Sequence, residues 1–263
     1  MILDELAAHA RERVRAAEER VPLSEIRERA LACGRSVFPF GDAIGKEGLS
    51  FICEVKKASP SKGIIDPVFD FRGIARAYAQ AGADAVSCLT EPRWFLGSDE
   101  VFRSVREEVS CPLLRKDFTV SEYQVHEARC LGADAVLLIC ALLDTAELEH
   151  LLGVCDELGL AALVEAHDAQ EVGSAIAAGA SIIGVNNRDL RDFSVDSRRA
   201  SCLRELVPPE VLFVAESGIR APEDVGELAR RGVDAVLVGE ALMRAGDKVA
   251  QLAAFRAAAA GGA

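Results

Sequence analysis

The chain has 263 residues, half of them hydrophobic and only 5% aromatic, which is enough for one large core of the size α/β barrels use. Its net charge of −12 excludes the basic footprint that nucleic acid or an anionic membrane would require, although a local cluster could still take a small anion. No apolar stretch approaches the roughly 18 residues of a membrane-spanning helix.

The N-terminal segment MILDELAAHARERVRAAEER is charged and amphipathic and lacks an apolar h-region. It does not read as a signal peptide, and a cytoplasmic location is expected. Helices are predicted over 2–20 and 23–33, with Pro22 at the N-cap or first helical position. They form an N-terminal helical extension over 1–48, ahead of a barrel over 49–263, in one domain overall. The first strand follows in FICEVKKASPSKG, residues 51–63. Glu54 and Lys56 alternate onto one face there. If that face looks inward, two opposite charges enter the protein interior, which is costly unless they are paired or needed.

One phrase then recurs: AGADAVSCL from Ala81, LGADAVLLI from Leu131, AGASIIGVN from Ala178 and RGVDAVLVG from Arg231. Each time a helical pattern ends in Gly, which suits a left-handed cap, and a β-branched apolar run follows. Further apolar runs lie between the recurrences. Strands are predicted over 51–56, 85–90, 112–117, 135–140, 161–166, 182–187, 212–217 and 235–240. Near-continuous apolar strands alternating with helices indicate a parallel sheet covered on its outside. Eight such units predict an α/β fold, the (β/α)8 TIM barrel. No G-x-G-x-x-G follows the first strand, which disfavours a dinucleotide-binding sheet.

The strand starts are apolar and the strand ends are polar. The ends carry Glu54 and Lys56, Lys116, Glu165, Asn186 followed by Arg188, and Glu216 with Ser217. Catalytic groups of such barrels sit at the C-terminal rim. Arg115 and Asp117 alternate away from Lys116 and are expected to bridge to neighbouring helices. Ser217-Gly218 after strand seven and Gly239-Glu240 after strand eight are small enough for backbone N–H groups to approach an anion, so a phosphorylated substrate is expected. The four histidines (9, 126, 150 and 167) have no metal-ligand spacing and read as surface or helix-end residues. Asp168 reads as an N-cap, and Trp94 either lines the pocket mouth or packs its own loop. Eight scattered cysteines without a C-x-x-C pair read as reduced thiols.

These residues lie in the motifs EVKKASPSKG, SCLTEPRWFLGS, LLRKDF, LVEAHD, IGVNNRDL, VAESGI and LVGEALM. In that order and spacing, over about 50–245, the chain resembles the indole-3-glycerol-phosphate synthase family of tryptophan biosynthesis. Lys57 stands where the family often has arginine, and IIDPVFDF stands where its loop is usually more acidic. The resemblance implies a lyase that closes the ring of 1-(2-carboxyphenylamino)-1-deoxyribulose 5-phosphate with loss of carbon dioxide and water. It implies Lys116 as general acid, and Glu165 as the group that takes up or returns a proton. Lys56 binds substrate anions and serves as acid for water loss. Glu54 orients Lys56, Glu216 orients the lysines and substrate hydroxyls, and Asn186 bonds a substrate hydroxyl. Arg188 and Ser59 are matched to the carboxylate; Ser217, Gly218, Gly239 and Glu240 to the phosphate; Pro60, Phe118 and Leu137 to the aryl ring. No metal or organic cofactor is implied, and other tryptophan-pathway enzymes are the candidate partners.

Two other readings fit the motifs less well. A phosphoribosylanthranilate isomerase or related sugar-phosphate barrel would use a Cys/Asp or Asp/Asp pair and would lack the EVKKASP strand. A non-catalytic barrel subunit would be expected to have lost Lys56, Lys116 or Glu165.

Overall fold

The structure, a computed structural model, describes residues 2–36, 38–189 and 193–261. Eight parallel strands close into a barrel: β1 Ser50–Val55, β2 Ala85–Leu89, β3 Leu113–Lys116, β4 Ala135–Ile139, β5 Ala161–Ala166, β6 Ile182–Asn186, β7 Leu212–Glu216 and β8 Ala235–Val238. Pairing of Ser50 with Ala235 through Cys53 with Val238 seals the ring. Each strand falls within two residues of its predicted bounds.

Three helices precede the barrel: α1 Ile2–Glu18, α2 Leu23–Ala32 and α3 Phe40–Ile44. Those on its outside and rim are α4 Phe71–Gln80, α5 Asp99–Glu108, α6 Glu122–Leu131, α7 Thr145–Leu158, α8 Ala169–Ala177, α9 Arg198–Leu203, α10 Pro222–Arg230, α11 Glu240–Arg244 and α12 Lys248–Gly261. Among the described residues no helix is long and apolar enough to cross a membrane. All eight cysteines are free thiols.

The period of two along each strand sorts the core into two layers. Phe51, Cys53, Val136, Leu138, Phe213 and Ala215 point outward and pack against the helices. Ile52, Leu114, Leu137, Leu163, Val214 and Leu237 point inward and fill the barrel.

The recurring phrase has two structural jobs. Its glycines, Gly82, Gly132, Gly179 and Gly232, sit at φ of 74°, 87°, 87° and 70°, the left-handed region that ends each helix. Its aspartates anchor the neighbouring strand. Asp84 accepts the backbone N–H of Phe51 at 2.9 Å, Asp134 that of Leu113 at 2.8 Å, and Asp234 that of Phe213 at 2.7 Å. Each carboxylate thus satisfies an N–H at the start of the preceding strand. In the third recurrence Ser181 replaces the aspartate; its carbonyl accepts the Leu212 N–H at 3.0 Å, the backbone bond that the Asp134 and Asp234 carbonyls also make, to Ala161 and Ser50.

Both ends of the barrel are covered by the N-terminal extension. Phe40 and Ile44 of α3 join the inward cluster, and Gly41 lies against Ile182 and Leu212, the first residues of β6 and β7. That places α3 as a plug at the N-terminal end. Leu3, Leu6 and Ala10 of α1 join the same cluster with Phe118, which lies beyond the C-terminal end of β3. Arg13 of α1 forks onto Asp117, with Nη1 to Oδ2 at 3.0 Å and Nη2 to Oδ1 at 2.6 Å. Neither α3 nor the short hairpin pairing Ala58–Ser59 with Gly63–Ile64 figures among the predicted elements.

Candidate active site

A cavity of about 510 Å³ opens at the C-terminal end of the barrel, within the size range of small-molecule sites. All fifteen residues singled out from the sequence line it. Leu190, the last residue of IGVNNRDL, lies outside the described residues.

Lys116 is at the centre. Its Nζ lies 2.9 Å from Glu216 Oε2 and 3.2 Å from Glu165 Oε2. These side chains come from β3, β7 and β5 and converge because each occupies the last inward position of its strand. Burial works against the ammonium, but Glu216, Glu165 and Glu54 hold its pKa well above the usual lysine range. The two carboxylates divide. Burial would raise Glu165, yet Lys116, His167 and a hydrogen bond from Asn186 hold it below the usual carboxylate range. For Glu216, burial dominates and the neighbouring Glu165 charge adds to it, so despite Lys116 its pKa is pushed up to about 7. Its Oε1 is buried without a hydrogen-bond partner.

A second charged pair sits beside the first: Lys56 Nζ donates to Glu54 Oε1. Both lie in the barrel mouth, so the inward face of β1 does take two opposite charges, and they are paired. Two inward glycines make room for the carboxylates. A Cβ on Gly184 would collide with Glu216 Oε1, and one on Gly239 would collide with Glu54 Oε1 and lie 2.9 Å from Lys56 Nζ.

Asn186 Oδ1 accepts the Arg188 backbone N–H at 3.0 Å, which turns its amide nitrogen toward Glu165. The Arg188 guanidinium donates to the Phe193 carbonyl at 3.3 Å. Across the cavity, Ser217 and Gly218 have φ of 62° and 79°, and Gly239 precedes α11. A non-glycine residue in the left-handed region is a mark of functional sites. The Glu240 carboxylate is drawn off by Arg244 Nε at 3.1 Å and Lys62 Nζ at 3.7 Å. Pro60, Phe118 and Leu137 form apolar wall, and the Phe95 ring lies 6.0 Å from that of Phe118.

Several residues of this region were missed in the sequence. Lys62, Arg220 and Arg244 line the side of the loops after β7 and β8, Phe95 lines the apolar side, and Ile2 and Leu6 of α1 lie at the mouth. Glu91, fully buried, shapes the loop that carries Phe95. Its carboxylate accepts the N–H groups of Arg93, Trp94 and Phe95 at 2.9, 2.7 and 3.0 Å and meets His9 Nδ1 at 3.2 Å. Trp94 packs edge-on against His9, 5.5 Å between centroids, so it ties its loop to α1 rather than lining the cavity. Arg115 and Asp117 do bridge outward: Arg115 to Asp99 and Glu127 at 3.0 and 2.7 Å, Asp117 to Arg13.

The family model for indole-3-glycerol phosphate synthase matches residues 3–255. The chain belongs to the indole-3-glycerol-phosphate synthase family. It is 52% identical to the indole-3-glycerol phosphate synthase of Ruminiclostridium cellulolyticum over 260 residues, 98% of this chain and 100% of that relative. It is 44% identical to that of Lachnoclostridium phytofermentans, over 94% of this chain and 96% of the relative. Among solved structures, thiamine phosphate pyrophosphorylase from Pyrococcus furiosus superposes with a TM-score of 0.61 at 18% identity, covering 81% of this chain and 96% of its own. That likeness is one of fold alone.

Proposed function

We propose that this synthase-family barrel closes the ring of 1-(2-carboxyphenylamino)-1-deoxyribulose 5-phosphate to give indole-3-glycerol phosphate, with Lys116 as the acid of the first step. The observation that carries the reading is the Lys116 ammonium held between Glu165 and Glu216 at the floor of the cavity. Such an ammonium, little hydrated and fixed in place, is suited to give a proton to the ketone oxygen as an aromatic carbon attacks. The attacking ring carbon carries the carboxylate, so once the new carbon–carbon bond has formed carbon dioxide leaves with its bonding pair retained by the ring.

Water loss completes the reaction. Lys56, held by Glu54, supplies a proton to the departing hydroxyl, and Glu165 takes the proton released as the indole forms. Arg188 suits the substrate carboxylate because its planar fork matches that group, with Ser59 beside it. The phosphate falls to the loops after β7 and β8, where Ser217, Gly218 and Gly239 offer backbone N–H groups. Lys62, Arg220 and Arg244 add positive charge there, and two of them also turn the Glu240 carboxylate aside. Phe118, Leu137, Pro60 and Phe95 suit the aryl ring.

The test is Lys116→Met, which keeps the length of the side chain and removes its proton. kcat should fall by about 10²–10⁴, the usual worth of a general acid, with KM little changed. Near-normal turnover would remove Lys116 from the acid role.

A further inference from the structure

Glu165 has a second neighbour whose geometry the scheme above does not use. Its Oε1 faces the buried His167 Nε2 at 3.5 Å, an ion-pair distance at which no hydrogen bond joins them, while its Oε2 serves Lys116. The other ring nitrogen, His167 Nδ1, is 3.1 Å from Glu171 Oε2, and that oxygen also accepts the His167 backbone N–H at 2.7 Å. Glu171 is fixed in turn: it is the third residue of α8, and its N–H donates to the N-cap Asp168 at 2.9 Å. The imidazole is clamped between a carboxylate of the proton-handling centre and one from the first turn of a helix.

The clamp selects a protonation state. A neutral imidazole donates from one nitrogen only. With Nδ1–H given to Glu171, a neutral ring would turn the Nε2 lone pair on the Glu165 carboxylate, in a setting where little water screens the repulsion. An imidazolium serves both carboxylates. The charged groups around the ring favour that form. Glu165 faces it from β5, Glu171 from α8 and Glu216 from β7, while Lys116 lies on the far side of Glu165. Cys140, after β4, bonds the Glu171 carbonyl at 3.5 Å, and burial pushes its thiol up to about 12, so it stays neutral. Burial opposes charge on the ring, yet Glu171 and Glu165 raise the His167 pKa above its ordinary value.

We propose that His167 is a positioning residue for the ring closure: an imidazolium held by Glu171, it fixes the orientation of Glu165 and keeps it a carboxylate ready to take a proton. This rests on the reading of Glu165 as the proton acceptor. The role passes through Glu165 and requires no contact between His167 and substrate.

The experiment is the pH profile of kcat/KM for the full-length enzyme, H167N, E171Q and E165Q, with a histidine NMR titration of the wild type and E171Q. In H167N, kcat should fall about 10-fold with KM within about 2-fold, and the acid limb should move up by about one pH unit, because Glu165 loses a neighbouring positive charge. In E171Q the alkaline limb should move to lower pH, because the ring loses its proton sooner. The His167 resonances of the wild type should report both N–H protons at pH 7. A purely structural role would lower activity at every pH and leave both limbs in place; that result, or a neutral His167 at pH 7, overturns the inference. E165Q separates the two ideas. If it turns over normally, the reading of Glu165 fails; if it is inactive while the H167N limbs are unmoved, only the role of His167 fails. E171Q is a near-isosteric change at a partly exposed residue of α8 and carries the test should H167N fold poorly.

Discussion

Glu216 and Glu165 flank the same ammonium, yet their pKa values move apart, and the difference has consequences for single substitutions. Glu216 is pushed up to about 7 by burial and by the Glu165 charge, so folding binds a proton there between its ordinary 4.5 and 7. The sign follows: stability from this group is fully present below pH 4.5 and is lost as pH rises through 7. Glu216→Gln should therefore flatten the fall of Tm between pH 5 and 8 and raise Tm at pH 8 by about 2–4 °C, while turnover drops. Thermal denaturation across that pH range checks it, and an unchanged slope would contradict the raised pKa. Gly239 makes a steric prediction. A methyl group there meets Glu54 and Lys56, so Gly239→Ala should displace the pair and lower kcat/KM by about 10²-fold in steady-state assays. Arg188→Ala should chiefly raise KM, by about 10- to 100-fold, the worth of a charge-assisted hydrogen bond, with kcat nearly kept. An unchanged KM would take Arg188 away from the substrate carboxylate.

Among elements, α1 is the one whose place over the cavity was least evident beforehand. Its Ile2 and Leu6 line the mouth, and its attachment runs through Arg13 and the buried Asp117, which also accepts from Thr90 at 2.6 Å. Burial would raise the Asp117 pKa, but Arg13 and Arg115 hold it below its ordinary 3.8. The stabilisation is thus present above that pH and is lost as pH falls below it. Arg13→Ala should cost about 2–3 kcal/mol in denaturant unfolding at pH 7, and the difference from wild type should shrink toward pH 3. The strands were legible because a two-sided buried strand reads as an unbroken apolar run, and because Gly82, Gly132, Gly179 and Gly232 mark where each return begins. The plug α3 was not legible. It spans five residues, FGDAI, without a side-chain cap, too short for a helical period to emerge. The recurring aspartates were visible as a pattern, but their partners Phe51, Leu113 and Phe213 lie 21 to 33 residues away, so their bonds were not.

Over the whole molecule, the barrel brings six strand ends that are far apart in sequence to one rim, which is why period-two reading of each strand was enough to assemble the charged centre of the cavity. It could not assemble contacts between loops. Lys62 and Arg244 meet at Glu240 from opposite ends of the barrel sequence, and His167 finds Glu165 and Glu171 only where the chain turns from β5 into α8. A hairpin and a helix cover the mouth, so the charges act in a site with restricted access to water, where fixed groups are worth more than in solution. The proposed ring closure relies on the side chains of the barrel alone. The most direct measurement mixes the purified protein with 1-(2-carboxyphenylamino)-1-deoxyribulose 5-phosphate in metal-chelated buffer and follows indole fluorescence. A rise matched by release of one carbon dioxide per product is the expected result; a flat trace from the correctly folded protein would contradict it.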